Sequence, residues 1–248
     1  ICMHNLQWNN VTIKYVITGL VNGGSIVTTY WFFMPLYAAY LAIPLFSAVE
    51  KEKRKSVYVY ISVVGFLLNV LIPFAAKFTD WVPYNPGFRL FVNMSYLFYV
   101  VVGWLLHTQE IKRKDRIVIY ILAILGLFTN MIGTYFLSMR DGTVNKTFNG
   151  YNDVPCILYA IGVFVLIKQI APKIMDVKWI RAIVVYLNKY TFGVYLLHWS
   201  VLKAVIRLTR VNEVSLIWRL LSPIGIVAVC VAIIWVIRKI PVLKHVVP

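Results

Sequence analysis

Residues Lys189–Leu202 read KYTFGVYLLHWSVL, one histidine set among aliphatic and aromatic side chains inside a longer apolar block, 183–206. Hydrocarbon offers no water to an unpaired imidazole, so a ring at that depth is either a working group or one whose nitrogens the fold satisfies. The block is also long enough for a helix to cross a hydrocarbon core of about 30 Å, which takes roughly 20 residues. If such blocks recur, the chain is a membrane bundle.

Similar blocks stand at 30–49, 56–76, 89–106, 117–137, 154–170 and 217–237. The 248 residues are 60% hydrophobic and 14% charged, with a mean hydropathy of +0.76, whereas soluble domains are about a quarter charged. Trp and Tyr gather near the block ends, where amphipathic rings sit at the headgroup level. The expected fold is all-α, a polytopic integral-membrane helical bundle of about seven transmembrane helices over 30–237. Residues 1–29 read as an extracytoplasmic loop or interfacial segment, and 238–248 as a cytoplasmic tail. Heptads, internal repeats and linkers are lacking, so the blocks read as one bundle.

Charge supplies the orientation. Lys51, Lys53, Arg54 and Lys55 lie in one connection, and Lys112, Arg113, Lys114 and Arg116 in the next but one. Lys168, Lys173, Lys178 and Arg181 follow two blocks later, with Arg238, Lys239 and Lys244 after the last. Alternating basic loops belong in the cytoplasm, which puts residues 1–29, 77–88, 138–153 and 207–216 outside. The last outer connection is itself basic, through Lys203, Arg207, Arg210 and Arg219. That cluster fits either an anionic substrate or lipid headgroups.

The net charge of +16 is accounted for by topogenic and lipid-facing Lys and Arg. No basic and aromatic module that reads bases accompanies it, so nucleic acid is not an expected partner. Cys2, Cys156 and Cys230 share no metal-ligand spacing, and no metal is expected. P-loop, G-x-G-x-x-G, H-E-x-x-H and G-x-S-x-G signatures are absent. The nine acidic residues fall mostly in loops, which argues against a carboxylate-driven proton pump.

The polar groups within blocks are Asn69, Asn93, Asn130 and His198. Buried amides usually hold helices together through hydrogen bonds of about 1 kcal/mol, while an imidazole can act as acid, base or proton shuttle near neutral pH. The basic clusters at Lys51–Lys55 and Lys112–Arg116 are topogenic or, alternatively, clamp the phosphates of a cytoplasmic donor. Asn10 and Asn145 head glycosylation sequons on outer segments, a match short enough to arise by chance.

Three passages then resemble one family. Tyr30–Ser47, YWFFMPLYAAYLAIPLFS, is similar to a span of the membrane-bound acyltransferase family 3 that opens on a Trp-Phe pair and ends in a proline-containing turn. Phe148–Phe164, FNGYNDVPCILYAIGVF, resembles its loop-to-helix approach, with an aromatic and a Gly-Tyr pair ahead of an apolar helix. Leu187–Leu202, LNKYTFGVYLLHWSVL, resembles its late span, in which an aromatic and Gly precede Tyr-Leu and His. Order and spacing agree over 30–237.

The resemblance implies a bundle of about ten helices, of which these seven would be the last. It implies transfer of an acyl group, usually acetyl, from cytoplasmic acetyl-CoA or another acyl-CoA to a glycan or other hydroxyl acceptor of the cell envelope. The expected location is the bacterial cytoplasmic membrane, multi-pass among membrane lipids, with the C-terminus in the cytoplasm. The family's key histidine and arginines lie on its early helices, so the catalytic residues are expected upstream of Ile1. His198 is a supporting candidate; Trp31, Tyr195, Arg207 and Arg210 are candidates for substrate contact, and Lys112 and Arg113 for the CoA donor. Two other readings stay open on the residues alone: a transporter or flippase of a lipid-linked or anionic substrate, or a noncatalytic membrane domain fused to a soluble enzyme.

Overall fold

The computed structural model describes residues 28–79, 82, 84–85, 87–90, 92 and 96–240. Residues 1–27, the tail from 241, Cys2, Asn10 and Asn93 lie outside the described set. Among the described residues every regular element is helical. Helix α1 runs Phe33–Ser47 after a 3-10 turn, Thr28–Phe32. Helix α2 runs Lys51–Phe66 and continues through a π-helical Leu67–Leu71 into Ile72–Ala75. Then come α3 Tyr96–Thr108, α4 Arg113–Asp141, α5 Val154–Met175, α6 Lys178–Asn188, α7 Thr191–Thr209 and α8 Leu216–Lys239.

Five segments are long and apolar enough to cross a membrane: Tyr30–Ser47, Lys51–Ala75, Arg113–Asp141, Val154–Met175 and Leu216–Lys239. The expected seven blocks are thus only approximately the helices observed. The block at 89–106 contributes the shorter α3, and the block at 183–206 is two helices broken at Lys189–Tyr190. At the break the Thr191 hydroxyl donates to the Asn188 carbonyl at 2.9 Å, and Arg238 of α8 donates from Nη2 to the Lys189 carbonyl at 2.8 Å and places its guanidinium over the Tyr190 ring.

The helix ends follow local chemistry. Helix α4 stops at Gly142, in the left-handed region at φ 65, where a residue without Cβ costs least. The π segment of α2 ends just before Pro73, whose ring cannot donate to the Asn69 carbonyl and would crowd it in a regular α-helix. Widening the turn absorbs the proline and turns Asn69 inward.

Two compact units divide the chain, 1–171 and 172–248. In the first, Tyr58, Ile61 and Val101 form one buried cluster with Phe46, Trp104 and Leu105, and Val70, Phe98 and Ile157 form a second with Phe66 and Tyr99. Helices α4 and α5 meet through small residues. A Cβ at Gly126 would lie 2.7 Å from the Pro155 carbonyl oxygen, and one at Gly162 would collide with the Ala123 methyl, as expected where membrane helices associate by close packing. In the second unit, Val201 of α7 packs with Ile226 and Cys230 of α8. The outward faces stay apolar: Ile121, Leu125, Phe128, Ile132 and Phe136 stand exposed along α4, a surface suited to lipid rather than water.

Candidate functional site

The first unit has two chemically distinct ends. Connections 48–50 and 109–112 lie at a basic end; the start of α1, the end of α2, the start of α3 and the loop before α5 gather at the other.

Aromatic rings converge at the second end. The Trp31 indole stacks on Tyr151 with centroids 5.4 Å apart and planes at 24°, and it lies 5.8 Å from Tyr96. Tyr96 in turn approaches Tyr99 and Tyr151, each at 6.4 Å. The Tyr99 hydroxyl donates to the Tyr151 carbonyl. Trp31 remains 39% exposed and Tyr151 58%, so the stack keeps open ring surface. Below it, the Cys156 thiol donates to the Tyr159 hydroxyl at 3.2 Å. Cys156 and Cys230 are both free and buried.

The loop that carries Tyr151 is held from several directions. Lys77 Nζ, at the end of α2, bonds Asp153 Oδ1 at 2.5 Å and the Thr147 carbonyl at 3.2 Å. Asp153 is buried and also accepts the Gly150 amide at 2.9 Å. Asn130 of α4 donates to the Phe148 carbonyl at 2.6 Å, and Phe148 stacks on Phe78 at 5.2 Å. These pairings favour one geometry of the loop over many. Half-buried Asn130 thus fastens α4 to this loop, where a helix-to-helix bond was expected of an amide in a span. Asn69 has the same role: it donates to the Leu90 carbonyl at 2.9 Å and accepts the Leu90 amide at 3.0 Å.

At the basic end, a cavity of about 300 Å³ is lined by Glu110, Ile111, Arg116, Val165, Lys168 and Gln169. Lys168 donates to the carbonyls of Leu106, His107 and Gln109 at 2.7, 2.8 and 2.9 Å, capping α3 where the helix dipole attracts a cation. Arg54 does the same for α1, donating to the Ser47 and Val49 carbonyls at 2.9 Å each. These two cations close helix ends, while Arg116 lines the cavity wall. Lys112 and Arg113 stand exposed at the start of α4.

Trp31 belongs to the first unit; Tyr195, His198, Arg207 and Arg210 belong to the second. There Tyr195 and His198 lie together, ring centroids 5.9 Å apart. His198 Nδ1 faces the carbonyls of Tyr195 at 2.7 Å and Val194 at 3.2 Å. Two acceptors on that side make Nδ1 the protonated nitrogen and leave Nε2 as the free lone pair of the neutral ring. The half-buried imidazole is therefore satisfied by its own helix on one side and chemically available on the other. Arg207 and Arg210 share the exposed last turn of α7, and Arg210 closes it at φ 49 with its amide on the Ile206 carbonyl. Nearby, Lys203 lies over the Trp199 ring at 5.0 Å.

Trp31 was legible as a candidate, but Tyr96, Tyr151 and the Lys77–Asp153 pair were not. A Lys and an Asp alone in separate loops carry no signal until the fold joins them. The family model described as an acyltransferase domain matches residues 2–238. No curated protein and no solved structure matches the chain. With nearly the whole sequence covered by that match, the chain belongs to acyltransferase family 3.

Proposed function

We propose that this multi-pass membrane acyltransferase is an O-acyltransferase of the bacterial cytoplasmic membrane. It takes an acyl group, usually acetyl, from a cytoplasmic CoA thioester and delivers it to a hydroxyl of a cell-envelope glycan. The observation that carries the reading is the family match over 2–238. The contrast between the two ends of the first unit supports it, with cations at one and an open aromatic stack at the other. In the net reaction the thioester C–S bond is exchanged for a C–O bond between the acyl carbon and the acceptor oxygen, and the acceptor proton leaves with CoA as its thiol.

In this reading Arg116 in the basic-end cavity faces the donor's phosphates, since a guanidinium pairs with phosphate through two parallel hydrogen bonds. Lys112 and Arg113 add to the field around it. The acceptor sugar lies on the Trp31–Tyr151 stack, whose apolar ring faces suit the C–H face of a pyranose. Within the second unit, His198 offers Nε2 beside Tyr195, and Arg207 and Arg210 form a separate basic patch that would attract anions. In this reading the C-terminus faces the cytoplasm, which the distribution of basic loops supports.

Sealed vesicles of the full-length protein test this. Labelled acetyl-CoA supplied only on the side of the Lys51–Lys55 loop should yield labelled glycan on the opposite side. No label on any acceptor would sink acyl transfer from CoA; label confined to the donor side would sink the proposed orientation.

A further inference from the structure

We infer that α6 is an interfacial anchor, an amphipathic helix lying in the anionic leaflet at the membrane surface where α5 ends. Its sequence, KWIRAIVVYLN, is 11 residues, a length of about 16 Å and half of what a span requires. At about 100° per residue, Trp179, Ile180, Ile183, Val184, Tyr186 and Leu187 occupy one continuous arc of roughly 160°. Lys178, Arg181 and Asn188 fall on the other side, with Ala182 and the exposed Val185 as its apolar members. Trp179 and Tyr186 sit at one edge of the apolar arc, the position that brings an amphipathic ring to the headgroup level.

The fold leaves most of that arc uncovered, with Ile180 half-buried. No residue of α6 is buried; Trp179 is 65% exposed and Ile183 49%. The occupant follows from continuity. Helix α5 is a membrane-crossing segment ending at Met175, and only Asp176 and Val177 separate it from α6. Three Cα–Cα steps cannot carry the helix more than about 11 Å from the end of α5. An apolar face of this breadth, held at that level, is buried about 5–10 Å into the boundary between headgroups and acyl chains. The flanking charge selects the leaflet. Lys173, Lys178, Arg181 and Lys189 stand against one acidic residue, Asp176, between positions 173 and 189, and each basic group near an anionic surface strengthens binding about five-fold. This inference does not depend on the acyl-transfer reading.

The test uses the full chain, its native cysteines replaced, in phosphatidylcholine vesicles with and without phosphatidylglycerol. A nitroxide is placed at Ile183→Cys or at Arg181→Cys, and collision with dissolved oxygen is compared with collision with a water-soluble nickel chelate. With phosphatidylglycerol, the Ile183→Cys label should favour oxygen and the Arg181→Cys label the chelate. Omitting the anionic lipid, or combining Lys178→Gln with Arg181→Gln, should shift the Ile183→Cys label toward the chelate. Two water-accessible labels would overturn the anchor. An Ile183→Cys label shielded from both reagents would overturn it too, and indicate a protein partner or second copy. Equal depth in both lipid mixtures would overturn the anionic leaflet. Unchanged thermal unfolding of the labelled variants in detergent confirms that the readout comes from a folded chain.

Discussion

The Tyr151 ring lies on the Trp31 indole at 5.4 Å, joining the loop before α5 to the turn that leads into α1. Both rings remain partly open while the loop beneath is tied to α2, α3 and α4 through Lys77, Tyr99 and Asn130. An interfacial belt residue has no need of such a mounting, because its ring orients itself in the headgroups. A surface that must meet a sugar in one orientation gains from it, since ordering is then complete before binding.

Tyr151→Ala and Trp31→Ala should therefore raise the acceptor KM while leaving that of the acyl-CoA donor unchanged. On the scale of ring contacts, about 0.5–1.5 kcal/mol each, the rise is roughly two- to twelve-fold. Tyr151→Phe keeps the ring and should keep the KM. Steady-state kinetics with each substrate varied in turn checks this; a parallel change in both KM values would indicate distortion of the bundle instead.

The α4–α5 contact predicts a sharp contrast among glycines. Gly126→Leu and Gly162→Leu put side chains where the Pro155 carbonyl and the Ala123 methyl already sit, and helix separation should cost at least the 1–3 kcal/mol typical of overpacking. Gly103→Ala and Gly225→Ala add a methyl where nothing lies within 4 Å. They should be neutral or gain up to about 1 kcal/mol, because glycine weakens a helix interior. Thermal unfolding in detergent should separate the two pairs.

Which of these features could be read from residue order depends on the distance over which they are determined. The long apolar blocks announce helices because the span length is a property of each segment by itself. The block from 154 begins where α5 begins, at Val154. The break at Lys189–Tyr190 did not announce itself, because the guanidinium that meets its carbonyl and ring comes from Arg238, on another helix. The site divides in the same way. Trp31 and His198 stand out locally as a Trp in an aromatic run and a lone titratable ring. Tyr151 looks like any loop tyrosine until the fold sets it on Trp31. Lys168 looks topogenic until its ammonium is found on two carbonyls of α3 and that of Gln109 just beyond it.

That ammonium gives the next prediction. Lys168→Met leaves the carbonyls of Leu106, His107 and Gln109 without their shared donor. The expected loss is about 1.5–3 kcal/mol, the range for hydrogen bonds to a charged group. Lys168→Arg should recover part of it, because a guanidinium also donates several bonds. Amide hydrogen exchange over Trp104–Gln109 should quicken in Lys168→Met and only slightly in Lys168→Arg; no change in either would remove Lys168 from the role of cap.

His198 allows its structural and chemical sides to be separated. Nδ1 donates into its own helix through the Tyr195 carbonyl, and an asparagine amide can reproduce that donor but has no counterpart to Nε2. His198→Asn should therefore unfold at nearly the wild-type temperature, whereas His198→Ala loses the hydrogen bond and about 0.5–1.5 kcal/mol with it. If Nε2 assists the transfer, both variants should lose activity alike, by about ten-fold or more, short of the 10²- to 10⁴-fold contributed by a principal acid or base. Transfer rates and unfolding temperatures measured on the same preparations decide the matter. Full activity in His198→Asn would make the ring a hydrogen-bonded structural group and leave the acyl transfer to other residues.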